Sequence, residues 1–235
     1  MCVMMTRMSE PPKFTSRHRA VRTWSPAERR EALLVAAERV FLAKGYHAAT
    51  MNDVARAARI SKKTVYETIA SKEELFAALI AWRQEQLVIP EAAPGATVPE
   101  RLTALLLTLA RFLLAPAQVG LIRLIMTEYT HSPDFGRYFL RKHLAKARAR
   151  MENALLGLAM EHGLSRPEAR EQVAMLFGMA IGEFHFNAVV GFRASPSKAA
   201  LEGRVRLAVG IFLAGCCPEK FSHLSPTCGV RPPDA

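Results

Sequence analysis

The chain has 235 residues, half of them apolar, with 13 Gly and 14 Pro, which excludes a disulfide-stapled miniprotein, a low-complexity chain and a collagen-like repeat. Its 32 Lys or Arg outnumber its 21 Asp or Glu, a formal net charge of +11, so the favoured partner surface is negative: nucleic acid or an anionic membrane. The longest uncharged run, Leu207 to Pro218, is 12 residues, short of the roughly 20 a spanning helix needs, and Pro11, Pro12, Lys13 and Arg17 break any secretory leader.

Charge is concentrated at the N-terminus, where residues 1–72 hold 14 Lys or Arg against 6 Asp or Glu. Residues 1–24, with Arg17, Arg19 and Arg22, read as a basic arm without a fixed fold. Helix starts then follow in quick succession. Ser25-Pro26-Ala27-Glu28 is a capping box with Pro at the first helical position, and Gly45 supplies the left-handed residue that ends that helix. Leu33, Ala37, Val40 and Phe41 line its inner face. Thr50 with Asp53 opens a second helix, Ser61 a third, and Ser71 with Glu74 a fourth expected over Lys72–Ile89. Pro90, Pro94, Gly95 and Pro99 break the chain, so 25–89 forms one domain and 90–98 a linker.

The second and third helices are separated only by Arg59-Ile60-Ser61, the spacing of a helix-turn-helix whose second helix enters a major groove. Ile60, Val65 and Ile69 can face inward. That leaves Lys62, Lys63, Thr64, Tyr66 and Thr68 outward, two cations and three hydroxyls suited to phosphates and base edges. A Lys-Lys pair alone is ordinarily solvated surface; the pattern around it is what points to DNA.

The segments Phe41-Leu42-Ala43-Lys44-Gly45-Tyr46, Thr50-Met51-Asn52-Asp53-Val54-Ala55, Ile60-Ser61-Lys62-Lys63-Thr64-Val65-Tyr66 and Ser71-Lys72-Glu73-Glu74-Leu75 resemble, in order, the DNA-binding domain of the tetracycline-repressor (TetR) family. The resemblance spans about residues 27–80 and implies a homodimeric transcriptional regulator bound to a palindromic operator on double-stranded DNA. It implies that Thr50 caps the second helix beside a phosphate and that Asn52 reaches a base or phosphate. Ser61, Lys62, Lys63 and Thr64 fall in the base-reading turn, Tyr66 at a phosphate contact, and Lys72 where the fourth helix is anchored to the DNA backbone. Two positions depart from the pattern: Arg59 stands where glycine is usual, and so must adopt a left-handed conformation or force the turn to rearrange, at a cost on the order of 1 kcal/mol, and Ile69 replaces an aromatic.

Residues 99–215 read as five more helices, at Pro99–Leu114, Ala117–Tyr129, Pro133–His162 with Gly163 as its stop, Pro167–Phe192 with the capping box Ser165 and Glu168, and Ser197–Ala214. The whole chain is expected to be all-α, a three-helix DNA-binding domain followed by a larger helical ligand-binding and dimerisation domain. Leu121–Glu128 with Ser132-Pro133 and Phe135 resembles the C-terminal domain of a TetR branch rich in efflux-pump regulators, which implies a small-molecule effector. The helix after Pro167 is apolar nearly all round and so must be buried all round, one side in the core and the other against a second copy. Gly178 and Gly182 would let a helix approach closely, and Gly203, Leu207, Gly210 and Ala214 repeat the device on the last helix. Two such helices per chain give a four-helix dimer interface. Phe112, Arg123, Met126, Tyr129, Phe177, Phe184 and His185 are the residues expected to line an effector cavity, with Glu128, Glu183 or an acidic ligand as the partner of Arg123.

The four cysteines sit at the ends, at Cys2, Cys216, Cys217 and Cys228, the last three in or beside a C-terminal tail (216–235) expected to lack structure. That fits a reducing cytoplasm rather than a disulfide framework. No enzyme motif, metal site or cofactor is expected. Glu128 and His131 have the Glu-x-x-His spacing of a di-iron bundle once, where such a site needs it twice. The non-enzyme alternative is a basic architectural protein using its N-terminal arm in the minor groove.

Overall fold

The computed structural model describes residues 24–131, 145–161 and 164–215, which contain helices and no strand. The four expected N-terminal helices are present as α1 (Pro26–Lys44), α2 (Met51–Ala58), α3 (Lys62–Thr68) and α4 (Lys72–Glu85). Their starts are closed by the predicted side chains. Ser25 and Glu28 satisfy each other's backbone amides, as do Thr50 and Asp53, while Ser61 accepts from the Thr64 amide and Ser71 from that of Glu74. Arg59 ends α2 at φ 58°, ψ 38°, so the turn keeps its left-handed geometry and the arginine bears the strain. α4 stops four residues before the expected Ile89. Val88 and Ile89 are β-branched and Pro90 disfavours helix in the residue ahead of it, so the chain leaves the helix through a turn at Gln86–Leu87.

Beyond the linker come α5 (Val98–Leu113), α6 (Pro116–His131), α7 (Ala145–Glu161), α8 (Arg166–Phe177), α9 (Glu183–Val190) and α10 (Lys198–Gly215). The expected single helix from Pro167 is continuous in path, but Gly178–Gly182 forms a π turn joining α8 to α9. By length and composition Pro167–Val190 is apolar enough to cross a membrane, which the search for uncharged runs misses because Glu168, Arg170, Glu171 and Glu183 interrupt it. Here it packs in the bundle, against α7 and α10. The arm with Arg17, Arg19 and Arg22, the stop at Gly163, the segment Ser132-Pro133 with Phe135, and all four cysteines lie outside the described residues.

Two apolar cores result. The N-terminal one gathers Leu33, Ala37 and Phe41 of α1, Val54, Val65, Ile69, and Leu75, Phe76 and Leu79 of α4, with Phe41, Tyr46 and Phe76 in mutual ring contact. The C-terminal one is built from α5, α7, α8, α9 and α10. Just past the end of α4, Leu87 joins the second core and Ile89 packs against it. α6 joins both, with Leu121 and Ile125 in the N-terminal core and Val119 in the C-terminal one. At Gly120 a Cβ would lie 2.6 Å from a methyl of Leu42 on α1, so glycine lets α6 lie directly on the DNA-binding domain.

Candidate nucleic-acid interface

The helix-turn-helix is assembled around Val65 and Ile69, which are buried, as expected from their spacing, while Ile60 is partly buried. The opposite side of α3 carries Lys62, Lys63 and Tyr66, all exposed, with Tyr66 at 45%. The Lys62 ammonium lies 5.8 Å from the Tyr66 ring centre, one helical turn away. Lys63 is only loosely drawn to Glu67, at 3.9 Å between two exposed groups, a contact too weak to withhold it from DNA. Thr64 and Thr68 differ from the expected free hydroxyls. Thr68 donates to the Thr64 carbonyl at 2.8 Å, and the Thr64 hydroxyl is 2.8 Å from that of Ser61, so both first serve the local backbone and cap. Thr64 keeps acceptor capacity, because a hydroxyl has two lone pairs.

Thr50 and Asn52 are exposed at the start of α2. Asp53, beside them, is 2.7 Å from the Lys44 ammonium. That contact and the hydrogen bonds from Thr50 hold its carboxyl well below the usual range, so it remains an anion at the helix N-terminus, where the dipole favours one.

Lys72 departs from the expectation of a direct DNA anchor. Its ammonium donates to the carbonyls of Tyr46, His47 and Ala49 at 3.1, 3.4 and 3.3 Å and sits 4.4 Å from the Tyr46 ring centre. An ammonium has three protons, and all three are engaged. In this geometry Lys72 locks the turn between α1 and α2, presenting Thr50 and Asn52, and adds positive charge from behind. The Tyr46 hydroxyl in turn meets Glu73 at 3.2 Å, and burial together with that carboxylate pushes the phenol above its ordinary range. The 46–49 turn is thus a fixed part of the interface, yet no local sequence signal marks the carbonyls that Lys72 seeks, which lie 23 to 26 residues back.

The expected effector residues have varied surroundings. Arg123 is exposed and its guanidinium donates to the carbonyls of Ala188 and Val189, at 2.6 and 2.8 Å. The last carbonyls of α9 lack helical partners, so Arg123 needs neither Glu128, Glu183 nor a ligand anion. Met126 is 55% exposed. Phe184 lies under the Arg204 guanidinium, 5.0 Å away, and Glu183 pairs with Arg204 instead. Phe112 and Phe177 are packed against the C-terminal core. The Tyr129 side chain lies outside the described residues. His185 is the most informative member: its Nε2 is buried without a hydrogen-bond partner among the described residues, and burial lowers its proton affinity. A cleft of about 630 Å³ does open elsewhere, between linker residues 89–96 and α5 and α7.

The expected dimer faces are exposed in the single chain. Gly203, Leu207, Gly210 and Ala214 all face outward on α10 with Ile211 beside them, and no atom stands within 4 Å of where a Cβ would sit on Gly178, Gly182, Gly203 or Gly210. Met175, Phe186 and Val190 are exposed along α8 and α9, while Val173, Leu176, Ala180 and Ile181 are buried.

Residues 33–79 match the family described as bacterial regulatory proteins, tetR family, and residues 100–215 match the C-terminal domain of AefR-like transcriptional repressors. Over 61 residues the chain is 44% identical to the HTH-type transcriptional activator FasR of Mycolicibacterium smegmatis, and it spans 28% of that relative's length. Among solved structures, a TetR-family transcriptional regulator from Mesorhizobium loti superposes with a TM-score of 0.67 at 25% identity, over 82% of this chain and 98% of that one. A TetR transcriptional regulator from Agrobacterium tumefaciens gives a TM-score of 0.63 at 25% identity, over 81% and 94%.

Proposed function

This chain belongs to the TetR family of bacterial transcriptional regulators, and from that premise we propose that it acts as a homodimeric repressor that leaves a palindromic operator when a small molecule binds its C-terminal domain. The observation that carries the reading is the exposed polar face of α3, mounted on a domain whose core is shared with α6. Lys63 and Thr64 read base edges in the major groove. Tyr66, Thr50 and Asn52 meet phosphates, Lys62 and Ser61 support the turn, and Lys72 positions it. The exposed apolar faces of α8, α9 and α10 close on those of a second copy. That gives the uncovered Leu207, Ile211 and Phe186 a partner and sets two α3 helices for two half-sites.

Repression is favoured over activation because the C-terminal half, which carries the regulatory output, matches a repressor family, whereas the likeness to an activator covers 61 residues. The effector enters the C-terminal domain near Phe112, Phe177 and His185, displacing α6. In vitro transcription from a promoter holding the DNA this protein selects tests the reading: added protein lowers transcript yield, and a compound found by thermal-shift screening restores it. A rise in transcript on adding protein would replace repression by activation.

A further inference from the structure

Glu128 is 2% exposed on α6, and a carboxyl group taken that far from water needs a polar partner. Among the described residues the His47 ring stands against it, with Nε2 2.9 Å from Glu128 Oε2. Among the described residues that oxygen receives no well-aligned hydrogen bond, so the two groups meet at close range without a linear N–H···O bond. His47 belongs to the other domain. It stands in the turn that Lys72 clamps by its carbonyls, three residues before the Thr50 cap of α2, and its ring is mostly exposed. Glu73, through Tyr46, is the other acid at this turn, and it faces the phenol rather than the imidazole.

At its middle α6 is tied to α9 by Arg123, five residues or about 7.5 Å along the helix from Glu128. A continuous set of contacts therefore runs from the α9 end through Arg123 and α6 to Glu128, His47 and the turn that presents Thr50 and Asn52. We propose that Glu128 is a positioning residue acting across the domain boundary: through His47 it holds the α1–α2 turn in its DNA-reading position, and a shift of α6 releases that hold. The inference rests on the DNA-binding reading and adds to it a direct path from α6 to the interface that bypasses α4.

The test is a double-mutant cycle, with H47Q, E128Q and H47Q/E128Q measured against the DNA that the wild-type protein enriches from a random-sequence library. If the two side chains act as a unit, each single substitution weakens binding by about tenfold and the double variant is no weaker than the worse single by more than about twofold. Losses that multiply to about a hundredfold would overturn the proposal, because His47 would then be contacting DNA on its own account. Hydrogen exchange on the DNA-free protein supplies a second readout. H47Q should speed exchange in α6 over 121–131 and E128Q in the turn over 45–54, with α5 unchanged; exchange that stays the same across the boundary would also overturn it. If E128Q fails to fold, H47Q alone, at a mostly exposed ring, carries this arm. Absence of any enriched DNA would refute the DNA-binding reading, while the exchange result would still decide whether the two side chains are coupled.

Discussion

Arg59 and Lys72 shape the turns on either side of α2, one through a left-handed backbone and the other through three hydrogen bonds to carbonyls. Arg59 stands where the resemblance puts a glycine, so strain or a rearranged turn was the expectation there, and the structure holds Arg59 at φ 58°. Replacing it with glycine should stabilise the fold by about 0.5 to 1 kcal/mol, because the relief of the left-handed cost is partly offset by glycine's added freedom in the unfolded chain. Thermal unfolding should show a rise of about 1–4 °C. The task of Lys72 was hidden, since its three carbonyl partners come together only once Phe41, Tyr46 and Phe76 have packed. Lys72→Met should therefore lower stability by about 1–3 kcal/mol and weaken DNA binding with it. Tyr66→Phe should weaken DNA binding and leave the unfolding midpoint unchanged, since the phenol is exposed. Calorimetry paired with a gel shift separates the two classes, and equal unfolding midpoints for the two variants would contradict the positioning role.

At the scale of elements, the caps were legible because a Ser or Thr followed three residues later by Glu or Asp satisfies the same free amides wherever it occurs. Two features were not. The π turn at Gly178–Gly182 shifts the helical register without altering the apolar composition, so an average over the window conceals it. The expected effector residues are aromatic, sulfur-bearing or charged within apolar helices, and such residues serve the core or a helix end equally well. Arg123 went to the α9 carbonyls, and Phe184 to Arg204. The apolar character of α8–α9 is two-sided in the structure too, for Phe186 and Val190 are exposed opposite a buried stripe. Leu207→Glu places a charge in the middle of the proposed α10 contact, and Gly210→Leu fills a close approach. Each should convert the dimer to monomer in sedimentation velocity and reduce operator affinity at least tenfold, because a monomer reads one half-site. A Leu207→Glu protein that stays dimeric would assign the contact to another face.

At the scale of the whole molecule, α6 rather than α4 alone links the two cores, and the leverage of an effector depends on how much more tightly it binds the DNA-free arrangement. Consecutive major grooves on one face of DNA lie about 34 Å apart, so a shift of a few ångströms between two α3 helices breaks one half-site contact. Ligand affinity measured with and without operator should differ by the factor by which ligand weakens operator binding, a coupling on the order of 2–3 kcal/mol; equal ligand affinities in the two states would exclude induction by this route. Such a switch requires that this basic protein read sequence rather than merely charge. That requirement is tested most directly by selecting DNA from a random library with the full-length protein and comparing affinity for the enriched sequence with that for its scrambled counterpart at physiological salt. The enriched sequence should be an inverted repeat bound about a thousandfold or more in preference to the scramble, whereas equal affinity for both, falling steeply together with added salt, would make the protein a charge-driven DNA binder and contradict a sequence-reading regulator.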